Sequence, residues 1–331
     1  MPLVIITDCD HGTIAPEEAV LRAAGVDYRL YQAKTEDDVI AVARDADGII
    51  LQYAPITGRV LDGLRRCRVA VRYGVGVDTV DLPAATERGV VVANVPDYCM
   101  EEVSDHALAM GLALWRGIAL YDRAVRSGTW NATMKTPMTR LCGKTMGVIG
   151  VGRIGACLAR KAAGVGMAVL GYDPYLTTLP QAVRSVSLHE LLKGSDIISL
   201  HLPLSAETRH LINEAALCSM KPTACLVNTA RGGLVDTEAL CRALQEGRIG
   251  GAALDVLEKE PIAADSPLLS MQNVILSPHA GWYSDQSIAD LKRKTAEAAI
   301  AVLRGERPYS PVNPHVYESP RLRGKDRLID G

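Results

Sequence analysis

A chain of 331 residues is too long for one ordinary core and is read as about two domains at ~150 residues each. Hydrophobic residues make up 48% of it and charged residues 22%, the profile of a globular protein in water. A formal net charge of -2 offers no basic field for nucleic acid or an anionic membrane, so neither is an expected partner.

In chain order, MPLVIITDCDHGT has a short apolar stretch with no basic residue before it, and is read as a first strand and not as a signal peptide. LVIIT (3–7), GIILQ (48–52), VAVRYG (69–74) and VVVANV (90–95) are predicted strands, with helices over 17–25 and 37–46 between them. Such alternation predicts right-handed βα units on a parallel sheet. From Glu101 to about Ser127 the pattern becomes one long helix without proline, apolar over more than one face. A second βα series starts at TMGVIG (145–150) and runs through MAVLGYD, DIISLHL, ACLVNTA, GAALDV and NVILSPH. After Ser284 come a last helix, SIADLKRKTAEAAIAVLRG, and a polar segment over 315–331 read as a mobile tail. No uncharged apolar stretch reaches the ~18 to 20 residues of a membrane helix. Eight cysteines are scattered with no C-x-x-C pair, which points to reduced thiols in a cytoplasmic protein and to no metal site. There is no phenylalanine, so the core falls to Val, Leu, Ile, Ala and Met.

The first chemical motif is GVIGVGRIGACLARKAAGVGMAVLGYD, residues 147–173. Gly150, Gly152 and Gly155 follow an apolar strand and open a helix, the context that a dinucleotide-binding glycine motif requires. Gly150 permits the turn, Gly152 lets backbone approach a pyrophosphate, and Gly155 allows close helix-sheet packing. Arg153 and Ile154 stand in the helix's first turn and complete the phosphate site. Asp173 ends the next strand, where its carboxylate can accept from the adenosine ribose hydroxyls. A 2′-phosphate would meet it as a like charge, and YDPYLTT holds no Lys or Arg, so NAD is expected over NADP.

Three further segments end strands where an open α/β sheet places its ligands: VNTARGG (227–233), ALDVLEKEP (253–261) and SPHAGW (277–282). Thr229 and Ala230 are candidate cofactor contacts there. An Arg, a Glu and a His at these strand ends can meet over a nicotinamide in distinct roles, although a structural ion pair and a strand-end histidine are the plain alternatives.

GVGRIG, NTARGGLVD, ALDVLEKEP and SPHAGW, in this order and spacing, resemble the D-isomer-specific 2-hydroxyacid dehydrogenase family over roughly residues 1–313. LQYAPIT, VPDYCMEEVSDHAL and HAGWYSDQS are most similar to the branch that includes the C-terminal-binding proteins, NAD-binding corepressors. The resemblance implies that His279 is the acid/base, Glu260 its partner and Arg231 the residue that binds and polarises the substrate. It also implies that Asp255 lies near the nicotinamide amide, and that Trp282 walls a pocket for 2-oxo acids with an apolar or thioether side chain, with Tyr53 as a possible second wall. Glu260 and not Glu258 matches, because the family glutamate directly precedes the proline. The chemistry agrees: a carboxylate on one ring nitrogen fixes the imidazole tautomer and favours its protonated form, and a guanidinium fork suits a 2-oxo acid.

Glycines in RYGVGVDTVD (72–81) allow a loop whose amides, at Val75 and Gly76, can converge on a substrate carboxylate. Asp105 and His106 are equally compatible with a plain helical role. His11, His189, His201, His210 and His315 form no metal set and are read as structural or solvated. The expected architecture is α/β, with two Rossmann-like domains and a cleft between them: a flavodoxin-like substrate domain from 1–99 plus 285–331, and a doubly wound NAD domain from 100–284. The expected activity is reversible hydride transfer between NADH and a small 2-oxo acid, in a homodimer formed through the NAD domain. Two alternatives stay open: an NAD(H)-sensing corepressor-like binding protein, and a family member oxidising another anion such as phosphite.

Overall fold

The computed structural model describes residues 1–134, 137–176 and 178–324. They form two compact units, one of Met1–Tyr98 with the segment from Ser284 onward, the other of Cys99–Tyr283. Among the described residues every strand pairing inside the two sheets is parallel.

The first unit runs β1 (Leu3–Ile6), α1 (Ala15–Ala23), β2 (Asp27–Leu30), α2 (Glu36–Ala43), β3 (Gly48–Leu51), α3 (Gly58–Gly63), β4 (Val69–Arg72), α4 (Leu82–Glu87) and β5 (Val91–Ala93). Its sheet order, β2-β1-β3-β4-β5, is the flavodoxin-like order. Fully buried Ile49, Leu51 and Val92 pack with Val39, Val60 and Leu61 from the helices. β2 lies at the sheet edge with the mostly exposed sequence DYRL, which explains why apolar alternation does not reveal it.

In the second unit α5 (Met100–Arg116) and α6 (Ile118–Arg126) precede β6 (Thr145–Ile149), α7 (Arg153–Gly164), β7 (Ala168–Tyr172), β8 (Arg184–Ser185), α8 (Leu188–Gly194) and β9 (Ile197–Leu200). Then follow α9 (Glu214–Ser219), β10 (Cys225–Asn228), α10 (Thr237–Gln245), β11 (Gly251–Leu254) and β12 (Val274–Leu276). The order β12-β11-β10-β9-β6-β7-β8 reverses direction between β6 and β9, the switch point at which doubly wound sheets bind ligands. The single long helix expected over 101–127 is two helices. Gly117 takes φ +66°, a left-handed cap that ends α5 and starts α6 on a new axis.

α11 (Asp285–Arg304) returns the chain to the first unit and packs on α1, β3 and β4. The expectation of a mobile polar tail from 315 is corrected for the described part: Val316 is fully buried and Leu322 nearly so, while Arg323 donates to the Leu64 and Cys67 carbonyls. Residues 325–331 of that expectation lie outside the described residues. No described helix is long and apolar enough to cross a membrane.

Candidate active site

β6 ends at Ile149, and the next residues turn the chain into α7. Gly150 has φ +87°, and a Cβ there would stand 2.8 Å from the His201 carbonyl. Gly155 brings α7 so near the turn that its Cβ would lie 2.0 Å from the Gly150 oxygen. Gly152 differs, because a Cβ on it would meet nothing within 4 Å. It is the N-cap of α7 and no side chain caps that helix, so the amides of Arg153 and Ile154 belong to an uncapped positive helix end with open space before it. Asp173, at the end of β7, accepts the Val151 and Tyr175 N–H groups at 2.9 Å each, and a carboxylate so held keeps further lone pairs for hydroxyl donors. The Thr229 hydroxyl is buried and, among the described residues, has no hydrogen-bond partner. An open helix end, a pinned carboxylate and an orphaned hydroxyl, at strand ends of one sheet, fit a dinucleotide.

The second set is built where β11 and β12 end. His279 has φ +54°, a conformation costing a non-glycine residue about 1–2 kcal/mol. Its backbone is therefore held from both sides. The His279 N–H donates to the Asp255 carbonyl at 2.8 Å, and its carbonyl accepts the Trp282 indole N–H at 2.8 Å. The Asp255 carboxylate, in a residue only 3% exposed, accepts the Ser277 hydroxyl, the Ala280 N–H at 2.8 Å and the Gly281 N–H at 2.9 Å, with His106 Nε2 at 3.4 Å. Burial raises its pKa, but the bonds from His106, Ser277 and the two amides outweigh that and hold it at about 2. Asp255 is thus a charged peg around which the turn carrying His279 is wrapped.

With its backbone fixed, His279 directs Nδ1 to Glu260 Oε2 at 2.8 Å. The other Glu260 oxygen accepts the Leu257 N–H at 2.9 Å. Burial pushes the Glu260 pKa up, but the bonds from His279 and Leu257 bring it below the usual carboxylate range. Both side chains are about two-fifths exposed, at 41% and 39%, so the pair is accessible and partly screened.

Arg231 follows β10. Asn228 forms its platform, donating to the Arg231 carbonyl at 2.9 Å and accepting the Ala230 N–H at 3.1 Å. The Arg231 guanidinium donates to the Ala230 carbonyl at 2.7 Å. The turn then passes so close to the next loop that a Cβ on Gly232 would stand 1.9 Å from the Leu257 carbonyl carbon. One hydrogen-bonded set therefore joins His279, Glu260, Asp255 and Trp282, and the Arg231 turn lies backbone to backbone against the loop that carries Glu260.

In the first unit, Asp8 accepts the N–H groups of Gln52, Tyr53 and Ala54, fixing the loop from which Tyr53 projects 57% exposed. Gly74 takes φ +120°, and its carbonyl and that of Val75 accept from Val95 N–H at 3.0 Å and Asn94 Nδ2 at 2.6 Å. The loop before Gly76 is pinned through its acceptors.

Two supporting residues, His106 and Asn228, were not read as such. His106 reaches Ser277 at 2.9 Å across 171 positions, which no local pattern can show. Asp105, its neighbour, pairs with Lys161 at 2.6 Å, the plain helical role. Asn228 did leave a signal, since an Asn between a strand and a turn is the residue that bonds the backbone two positions on. Among the described residues no group of three or more His, Cys, Asp or Glu is arranged to hold a metal ion.

Residues 108–281, inside the seven-stranded unit, match the family model for the D-isomer specific 2-hydroxyacid dehydrogenase NAD binding domain. The chain is similar to a glyoxylate reductase of Korarchaeum cryptofilum, 42% identical over 84% of this chain and 86% of that protein. It is also similar to a D-3-phosphoglycerate dehydrogenase of Methanocaldococcus jannaschii, 39% identical over 84% of this chain and 54% of that longer protein. Among solved structures, D-lactate dehydrogenase from Aquifex aeolicus complexed with NAD and lactic acid matches with a TM-score of 0.84 and 30% identity, covering 94% of this chain and 99% of that one.

Proposed function

Because the chain belongs to the D-isomer-specific 2-hydroxyacid dehydrogenase family and is an NAD-dependent oxidoreductase of 2-hydroxy acids, we propose that it interconverts a 2-oxo acid and its D-2-hydroxy acid with His279 as proton carrier. The observation that carries this reading is the 2.8 Å bond from His279 Nδ1 to an ionised Glu260. It fixes the ring and leaves Nε2 as the nitrogen that can give or take a substrate proton. A nicotinamide held by the glycine motif and Asp173 would supply the hydride that reduction of the oxo acid at C2 requires. His279 Nε2 then gives its proton to the oxygen of the forming alkoxide, and Glu260 stabilises the protonated imidazole beforehand. Arg231 holds the substrate's carboxylate and polarises its carbonyl. In the first unit, taken by itself, the Val75 and Gly76 amides are the proposed carboxylate donors. Gly150, Gly152, Arg153, Ile154, Gly155, Asp173, Thr229 and Ala230 are the proposed cofactor contacts. Asp255 belongs with them through the loop it holds, as a positioning group whose carboxylate is already engaged by the protein.

Trp282, tied to the His279 carbonyl, stands rigidly beside the proton carrier, and in the first unit, taken by itself, Tyr53 is a further proposed substrate contact. This supports a medium-sized, largely apolar 2-oxo acid. The test is NADH oxidation with glyoxylate, 4-methylthio-2-oxobutanoate, phenylpyruvate and phosphohydroxypyruvate, alongside His279→Ala. Turnover falling by roughly 10²- to 10⁴-fold in the variant, with NADH still bound, is expected. A phosphorylated acid giving the highest kcat/KM would refute the apolar pocket. NADH binding without turnover would favour a corepressor-like cofactor sensor, the branch that LQYAPIT and HAGWYSDQS resemble, and phosphite-dependent NADH formation would favour oxidation of that anion.

A homodimer through the NAD domain belongs to the same reading. α6 leaves Ile118 and Val125 exposed, at 59% and 49%, and a cavity of about 670 Å³ beside it is lined by Leu120, Ala124, Met134, Leu269 and Met271. Light scattering at micromolar concentration should give twice the chain mass, and a monomer would refute it. Eight unbridged cysteines support a cytoplasmic location.

A further inference from the structure

Among the described residues two residues other than glycine sit in the left-handed region, His279 at φ +54° and His210 at φ +51°. Each meets a glutamate of the same short loop after β11. His279 Nδ1 bonds Glu260 at 2.8 Å, and His210 Nε2 bonds Glu258 at 2.6 Å. The two bonds are parallel in chemistry, and their glutamates stand two positions apart in one loop.

The second pair reaches further than a surface ion pair. Glu258's other oxygen accepts the Thr237 N–H at 2.9 Å, at the N-terminus of α10. The His210 N–H donates to the Gly233 carbonyl at 2.8 Å, two residues after Arg231. Ile212 N–H to the Leu234 carbonyl, and Asp236 N–H to the Ile212 carbonyl, both 3.0 Å, join the same stretches again. Gly232, in turn, has the Leu257 and Glu258 backbone directly against it. Three segments, 208–212, 231–237 and 257–260, are thus tied at one corner, and Glu258 bonds both of the other two. Arg231 and Glu260 project from two of these three segments.

We propose that His210 and Glu258 are positioning residues for the reaction, fixing loop 257–260 against turn 231–237 and so setting where Glu260, and through it His279, stands relative to Arg231. This deepens the catalytic reading above and rests on it. Neither side chain has to touch substrate. The bond from Leu257 to Glu260 cannot replace theirs, because both of its ends move with the loop. Small displacements between an acid/base and the group polarising the carbonyl are costly in rate, whereas cofactor contacts at Gly150–Gly155 and Asp173 arise from other strands.

The experiment measures NADH oxidation with glyoxylate, pyruvate and phenylpyruvate for Glu258→Ala, Glu258→Gln, His210→Asn, Glu260→Gln, His279→Ala and the double variant Glu258→Ala/Glu260→Gln. Rates are taken per NADH-binding site, counted by fluorescence titration. Asn is chosen at 210 because it tolerates the left-handed region. Glu258→Ala and His210→Asn should each lower kcat/KM for the oxo acid about tenfold with NADH affinity unchanged. Glu258→Gln, which keeps hydrogen-bonding atoms at both positions, should recover part of the loss. The double variant should be no slower than Glu260→Gln alone, because Glu258 acts through that residue. Fewer NADH sites or a lower Tm with kcat/KM per site unchanged would show a merely structural pair and overturn the proposal, as would multiplicative losses in the double variant. Slow Glu260→Gln and His279→Ala beside a fully active Glu258→Ala would overturn the positioning role and leave the catalytic reading standing. Full turnover in His279→Ala, or none in the unaltered protein, would overturn that reading and this proposal with it.

Discussion

A carboxylate that is 3% exposed should be hard to keep charged, yet Asp255 is held at a pKa of about 2, because three donors and a histidine ring converge on it. The folded value lies below the ordinary 3.8, so its contribution to stability is full above about pH 4 and is lost as pH falls towards 2. A difference of nearly two units corresponds to ~2 kcal/mol. Urea denaturation of Asp255→Asn should accordingly show lower stability at neutral pH and a flatter dependence between pH 4.5 and pH 2.5; parallel curves would refute the assignment. The same variant should lose kcat by about ten- to a hundredfold, since the turn holding His279 loses its peg. His279, Glu260 and Arg231 were legible because each stands in an unbroken string of residues. The peg was not, because its partners come from α5 and from residues 277–281, more than twenty positions away, and burial of a charge leaves no mark in sequence.

Elements show a similar division. The strands of both sheets appear as apolar runs because both faces of a parallel sheet are covered. β2 escaped because Asp27–Leu30 is an exposed edge strand, and the single helix expected over 101–127 rested on the absence of proline, which does not reveal that Gly117 is a left-handed cap. The three motif glycines can be separated experimentally. Gly152→Ala adds a methyl group in open space, so the apo protein should keep its Tm while NADH binding weakens where the pyrophosphate would meet that methyl. Gly155→Ala forces a Cβ to 2.0 Å from a carbonyl oxygen, so both Tm and NADH affinity should fall. Equal behaviour of the two variants in thermal melts would contradict the division of roles.

At the scale of the whole molecule, the first unit is closed by a distant part of the chain. Asn313, 6% exposed, accepts the Val92 N–H at 2.8 Å and donates to the Val90 carbonyl at 3.0 Å and the Thr86 hydroxyl at 3.1 Å, so its side chain completes the edge of β5. Asn313→Ala leaves a buried donor and acceptor unpaired, at a cost of about 2–4 kcal/mol. Chemical denaturation should register that loss while NADH affinity stays unchanged, because the glycine motif belongs to the other unit; weakened NADH binding would refute this separation. The polar composition of 315–324 concealed this stitching, since Val316 and Leu322 are isolated apolar residues in a charged stretch.

The discontinuity of that unit also bears on how the protein is made. A ribosome delivers β1 to β5 first, yet α11, which packs on β3 and β4, and Asn313, which finishes β5, follow only after the whole seven-stranded unit. The contiguous unit can complete its core while synthesis continues. The first unit begins before the contiguous one and is completed only after it, so its apolar sheet surface stays uncovered in the interval, the condition under which a nascent chain is prone to aggregate.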